Sequence, residues 1–175
     1  MPPHSDGAAP TGLEVRRPTV EDLPAIVRIW QEGWADAHVG HVPPGLLRFR
    51  HHAHFAALAH DRLAAMWVTG PADTVAGFVV VKGDEIEQLY VDRPSRGTGL
   101  AATLLGHAEA EIGRAGHARA WLAVVAGNRR ARAFYARLGW RDAGPMSYMA
   151  DTADGPFAVP THRYVIDLSR SHASR

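Results

Sequence analysis

The stretch "LYVDRPSRGTGLA", Leu89 to Ala101, constrains this chain more than any other. An apolar run ends just before a proline. Gly97 and Gly99 follow with one residue between them, and then a long series of good helix formers begins. A strand that feeds a glycine turn and then a helix leaves several helix-start amides without an intrahelical carbonyl. Those amides and the helix dipole together make an anion site. Gly97 and Gly99 remove side chains where phosphates would approach the backbone. Ala101 keeps the next position small, and Arg96 adds a formal charge at the entrance. The alternative is a tight strand-to-helix turn that holds nothing.

Composition narrows the setting. The 175 residues suit one domain. With 19 basic and 18 acidic side chains the formal net charge is +1, so no electrostatic reason exists to expect nucleic acid or a membrane surface as partner. The absence of cysteine removes disulfides, thiolate metal sites and a cysteine nucleophile. No apolar run approaches the roughly 20 residues of a membrane span. The opening "MPPHSDGAAPTG" lacks the charged and apolar regions of a secretory signal. It reads as a disordered tail over residues 1–12, ahead of a single domain over 13–168 and a short tail over 169–175. A cytoplasmic protein is the expectation.

The pattern of apolar residues gives an order of elements. "LEVRRP" alternates as a first strand would. Thr19 suits an N-cap, with Glu21 and Asp22 in the first turn. Leu23, Ile26, Val27, Trp30 and Trp34 then recur at helical spacing over about residues 20–35. A second helix is expected over about 46–60. "AAMWVTG" and "TVAGFVVVKG" read as strands joined at the turn "GPAD", and "EIEQLYV" as the next strand. "TGLAATLLGHAEAEIGRAG" reads as a helix closed by Gly116. "RAWLAVVA" reads as a buried strand and "NRRARAFYARLG" as a short helix. "WRDAGPMSYM" and "HRYVIDL" complete the chain as strands around a polar loop. The order is β-α-α-β-β-β-α-β-α-β-β.

Two phosphate ligands compete for the glycine turn. "GTGLAA" satisfies the dinucleotide pattern G-x-G-x-x-G/A, and Arg129 and Arg130 would suit a 2′-phosphate. However, "DRPSR" intervenes between strand and glycine, no Asp or Glu occurs between Ile112 and Arg141, and only 47 residues follow Asn128. A doubly wound sheet does not fit in that remainder. The other ligand is coenzyme A. "RGTGLA" resembles the R/Q-x-x-G-x-G/A signature of the GNAT superfamily of acyl-CoA-dependent N-acetyltransferases. "NRRARAFYARLGW" resembles that family's second signature, N-x-x-A-x-x-F-Y-x-x-x-G-F/W. "LEVRRPTVEDLPAIVRIW" is similar to its first strand and helix. The departures are Thr98, where a basic residue is commoner, and Ala101 at the third small position.

The resemblance implies an α/β fold of the GNAT type: a central mixed, mostly antiparallel sheet of six to seven strands with about four helices. It implies acetyl-CoA as co-substrate and no metal. The pyrophosphate would lie on the loop from Arg96 through Gly97, Thr98, Gly99 and Leu100 to Ala101. The pantetheine arm would pair with the backbone of Leu89 and Val91, and the amide of Leu89 or Tyr90 would serve the oxyanion. Asn128, Ala131 and Phe134 belong to the second signature's coenzyme contacts, although Asn128 also suits a helix cap. Tyr135 would protonate the departing sulfur.

The base is left between two carboxylates. Glu85 and Glu87 are two apart on a strand and would share a face with Leu89 and Val91. Glu87, nearer the thioester, is the first choice and Glu85 the second, directly or through water. The alternative for both is a solvated strand residue.

By analogy the segment from Trp30 to His60 walls the acceptor pocket. Trp34 and His38, four apart on a helix, would face one cleft. Asp151, Asp154 and His162 in the late loop are further candidate contacts. His51, His52 and His54 lack regular metal-ligand geometry. The implied acceptor is a primary amine of a small molecule, an amino acid or a peptide N-terminus. A homodimer is admissible, since many members of the family dimerise, but no seam is visible. The rival from another class is a coenzyme A-binding sensor or interaction module without catalysis.

Overall fold

The computed structural model describes residues 13–71 and 74–168. The two tails expected at 1–12 and 169–175, and half of the turn "GPAD", lie outside the described residues. Seven strands form one sheet: β1 Val15–Arg16, β2 Met66–Thr69, β3 Gly77–Lys82, β4 Glu85–Val91, β5 Arg119–Val124, β6 Arg141–Ala150 and β7 Phe157–Asp167. Four α-helices accompany it: α1 Leu23–His38, α2 His52–Arg62, α3 Leu100–Arg114 and α4 Arg129–Arg137. The strand order is β1-β2-β3-β4-β5-β7-β6. Every pairing is antiparallel except β4 with β5.

The helices divide between the two faces by their apolar stripes. Helix α1 buries Ile26, Val27, Ile29, Trp30 and Trp34, and with Phe55 and Ala59 of α2 it covers Met66, Val68, Phe78 and Val80 of the sheet. Trp30, 1% exposed, anchors this layer with its ring centroid 6.2 Å from Phe55 and 5.3 Å from Phe78. Helix α3 buries Leu100, Leu104, Leu105, Ala108 and Ile112 at three- and four-residue spacing on the opposite face, against Val79, Ile86, Ala120 and Leu122. Gly116, with φ 94°, ends it in the left-handed conformation that glycine adopts without strain.

Two elements differ from the sequence expectation. The helix expected over 46–60 is split: a 3-10 helix covers Pro44–Phe49, Arg50 and His51 leave helical geometry, and α2 starts at His52. Pro43 and Pro44 preset a tight turn, and Leu46 and Phe49, three apart, share the buried face that a 3-10 helix aligns. Strand β7 starts at Phe157, inside the expected polar loop. Pro160 is tolerated there because β7 pairs with β6 alone at that point and with β5 only from His162 onward. A missing N–H on an unpaired strand side costs no ladder hydrogen bond.

Candidate active site

The site lies where the sheet opens. Between the parallel strands β4 and β5 the register holds only Glu85 opposite Trp121, with the Trp121 amide donating to the Asp84 carbonyl at 3.0 Å. Beyond that pair the strands part. A cavity of about 1050 Å³ fills the gap, lined by Leu89, Tyr90 and Val91 from β4, by Ala123 and Val124 of β5 and by Val125 just beyond it. Backbone at such an opening is a template for an extended ligand that pairs as a strand.

At one end of the cavity is the glycine turn. Gly97 and Gly99 have φ 77° and 87°, and Gly99 caps α3. The loop is clamped to α1 rather than free. Arg93 and Arg96 reach the Asp36 carboxylate at 2.7 and 2.9 Å, and Arg28 reaches Asp92 at 2.9 Å. The Arg93 guanidinium, with help from Arg96, holds Asp36 well below the usual carboxylate range, at about 2. Thus Arg96 lines the cavity, but Asp36 compensates the charge that the sequence placed at the entrance. The Thr98 hydroxyl donates to the Ser95 carbonyl at 2.5 Å. Thr98 alone of the loop residues from Arg96 to Ala101 does not line the cavity. Leu100 is buried under α3, and Ala101 lines the cavity wall.

Helix α4 forms the opposite wall. The Asn128 side chain accepts from the Ala131 amide at 3.1 Å, so it caps the helix; it also lines the cavity together with Ala131, Phe134 and Tyr135. Tyr135 is held by the rings of Phe134, Trp140 and Tyr164, at centroid distances of 5.2, 6.0 and 6.2 Å. Burial pushes its phenol above the ordinary tyrosine value. Burial also raises Tyr90, and Tyr135 adds to that shift, as expected of neighbouring phenols. The Tyr90 ring fits because residue 33 of α1 is glycine: a Cβ there would lie 2.5 Å from Tyr90 Cδ1.

The two carboxylates do not share a face with Leu89 and Val91. Strand β4 carries an irregularity: Gln88 pairs with Val80, but Ile86 pairs with Val81, so β4 has one residue more than β3 between these pairs. A bulge of this kind reverses the alternation. Ile86, Leu89 and Val91 therefore pack with the α3 layer, whereas Tyr90 packs with the α1 layer. Glu85 and Glu87 both line the cavity but in different states. Glu87, with its side chain 8% exposed, is gripped by Arg62 Nε at 2.9 Å and Nη2 at 3.1 Å. Glu85 Oε1 accepts from the Tyr148 hydroxyl at 2.7 Å. Desolvation raises Glu85 above the usual carboxylate value despite that hydrogen bond.

Trp34 and His38, the expected acceptor contacts, stack at 4.8 Å with planes 5° apart, and both line the cavity. Burial holds His38 near a pKa of about 4, and its Nδ1 is 3.0 Å from the Trp34 carbonyl. Asp151 also lines the cavity and pairs with Arg62 at 2.8 Å. Asp154 and His162 point elsewhere, to Arg48 and Asp142. The sequence reading missed Arg50, Arg62 and Tyr148. Arg62 and Tyr148 become visible only once the bulge sends Glu87 and Glu85 to this face, and Arg50 only once the break before α2 is known. Among the described residues no group of three His, Asp or Glu side chains could hold a metal ion, and no helix is long and apolar enough to cross a membrane.

Comparison with known proteins agrees with this geometry. The model of the acetyltransferase (GNAT) family matches residues 23–140. An uncharacterized N-acetyltransferase of Mycobacterium tuberculosis is 31% identical over 101 residues, which span 55% of this chain and 65% of that protein. The crystal structure of a GCN5-related N-acetyltransferase from Rhodopseudomonas palustris superposes with a TM-score of 0.70 at 18% identity, over 90% of this chain and 96% of the other. The structure of yncA from Salmonella typhimurium, solved with acetyl-CoA, gives a TM-score of 0.65 at 18% identity over 94% and 98% of the two chains. The seven-stranded sheet and its flanking helices are thus those of an acetyltransferase fold. The chain belongs to the GNAT family.

Proposed function

We propose that this protein transfers an acetyl group from acetyl-CoA to a primary amine by direct attack within a ternary complex. The observation that carries the reading is the continuity of one cavity from the glycine turn at the start of α3, past the separated strands β4 and β5, to Glu85 and Tyr148. It is supported by family membership and by acetyl-CoA in the structurally similar Salmonella protein.

In this reading the pyrophosphate rests on the amides from Gly97 to Ala101 and the pantetheine runs along β4. The thioester carbon then lies between Glu85 and Tyr135. An alkylammonium, with a pKa of about 10.4 for lysine, is not a nucleophile until it loses a proton. Glu85 takes that role in preference to Glu87. Its carboxylate is desolvated and held by the Tyr148 hydroxyl, whereas the Glu87 oxygens are occupied by Arg62. The freed amine adds to the thioester carbonyl, and a β4 amide at Leu89 or Tyr90 stabilises the oxyanion. The carbon–sulfur bond breaks as the second amine proton leaves through Glu85. Glu85 passes the two amine protons to water in turn; Tyr135, kept protonated by burial, gives its proton to sulfur and is reprotonated by the second of them through water. The products are the amide and free coenzyme A, with one net proton released to water. The chain has no cysteine, so no cysteinyl acyl-enzyme intervenes.

The test is thiol release from acetyl-CoA across a panel of amines. Amine-dependent release in the wild type, reduced about a hundredfold or more in Tyr135→Phe, is expected for loss of a general acid. Release that is independent of added amine in every case would contradict the reading.

A further inference from the structure

Resting on that reading, we infer that the acceptor is an amine that also carries a carboxylate, as an amino acid does, and that Arg50 binds the carboxylate while Glu85 receives the amine. Arg50 sits in the break between the 3-10 helix and α2, half-buried, and lines the same cavity as Glu85. Its Nη1 donates to His54 Nε2 at 2.8 Å and to the Asp151 carbonyl at 3.0 Å. Both acceptors are uncharged, since an arginine can only donate and burial, assisted by Arg50 itself, holds His54 near a pKa of about 4.

Among the described residues, Arg129, Arg130 and Arg137 also line the cavity without an ion pair, but they are exposed; the contrast with the paired arginines around the site is what points to a ligand at the half-buried Arg50. Arg62, in the same cavity, is neutralised by Glu87 and Asp151. Arg28 has Asp92, Arg93 and Arg96 share Asp36, and Arg132 has Asp142. Asp151 offers Arg50 its carbonyl while its carboxylate turns to Arg62. Among the described residues, no carboxylate lies within ion-pair distance of Arg50. A guanidinium that is partly desolvated and has no carboxylate in contact is destabilised in the free protein. An anionic group on the ligand removes it and gains a charge-assisted, geometrically specific contact. The Trp34 ring, 5.5 Å from the Arg50 guanidinium carbon, adds an aromatic flank to the same corner. A cationic corner at Arg50 and an anionic one at Glu85 match the two charges of an amino acid.

The test is calorimetric titration of the coenzyme A-loaded protein, wild type and Arg50→Gln, with N-acetyl amino acids of small, aliphatic and aromatic side chains and with their primary amides. The acids are expected to bind the wild type at least about tenfold tighter than the amides. Arg50→Gln should abolish that difference while coenzyme A binds as before, and Arg50→Lys should restore part of it. Equal binding of acid and amide, or binding of neither, by a protein that still takes up coenzyme A overturns the proposal and leaves the acetyl-CoA reading intact. Failure of the wild type to bind coenzyme A overturns the reading beneath it as well.

Discussion

The Tyr148 hydroxyl donates to Glu85 Oε1 at 2.7 Å, from β6 across to the first residue of β4. This bond favours the ionised carboxylate and opposes the desolvation that raises Glu85. Removing it in Tyr148→Phe must raise Glu85 further. The base has to be ionised to act, so the acid limb of the kcat/KM profile should move to higher pH in the variant. A limb that stays in place or moves to lower pH would separate Tyr148 from the base.

Glu85 and Glu87 are distinguished by kinetics against stability. Glu85→Gln is expected to lower kcat by about a hundredfold or more, as loss of a general base does, with little change in folding. Glu87→Gln should behave in the opposite way. It weakens a charge-assisted contact with Arg62, at a cost of about 1–3 kcal/mol in urea unfolding, and leaves kcat within about tenfold. The reverse pattern would restore Glu87 as the base.

Gly33→Ala tests the packing of α1 on β4. The new Cβ would lie 2.5 Å from Tyr90 Cδ1, closer than nonbonded carbons approach. The Tyr90 ring must therefore turn or α1 must move away. We expect a loss of about 1–3 kcal/mol and weaker acetyl-CoA binding, because Tyr90 lines the cavity. Unchanged stability with unchanged binding would show that the ring is free to relocate.

Acid should loosen the acceptor wall before it breaks the clamp on the glycine turn. His38 and His54 are depressed from 6.5 to about 4 by burial. The unfolded chain therefore binds more protons than the folded one between those values, and stability falls as pH drops through that window. Asp36, lowered from 3.8 to about 2, loses its contribution only at lower pH. The urea midpoint is expected to decline already between pH 6.5 and 4, and less steeply in His38→Phe. A flat midpoint over this range would contradict neutral buried histidines.

The parts of this molecule that the sequence made legible are those in which local pattern and tertiary demand agree. The apolar stripe of α3, its end at Gly116, the cap at Asn128, and the succession of strands along the chain all follow from such agreement. The failures have physical causes. An inserted residue in β4 reverses side-chain alternation without any composition signal, which moved Glu85 and Glu87 to the face opposite Leu89 and Val91. Pro160 reads as a loop residue until its strand is seen to lack a second neighbour at that point. The ion pairs of Arg62 and Arg96 and the hydrogen bond of Tyr148 span 25 to 89 residues of sequence. No spacing rule reaches that far, although both glutamates, Tyr135 and the glycine turn could be named in advance.

The central claim is that the gap between β4 and β5 is a seat for acetyl-CoA, with its pyrophosphate on the amides after Arg96. Calorimetric titration of the protein with acetyl-CoA tests it most directly, with NADPH as the competing phosphate ligand. One site with micromolar affinity for acetyl-CoA is expected, weakened by Gly99→Val, together with no binding of NADPH. Absence of acetyl-CoA binding, or preferential binding of NADPH, would contradict it.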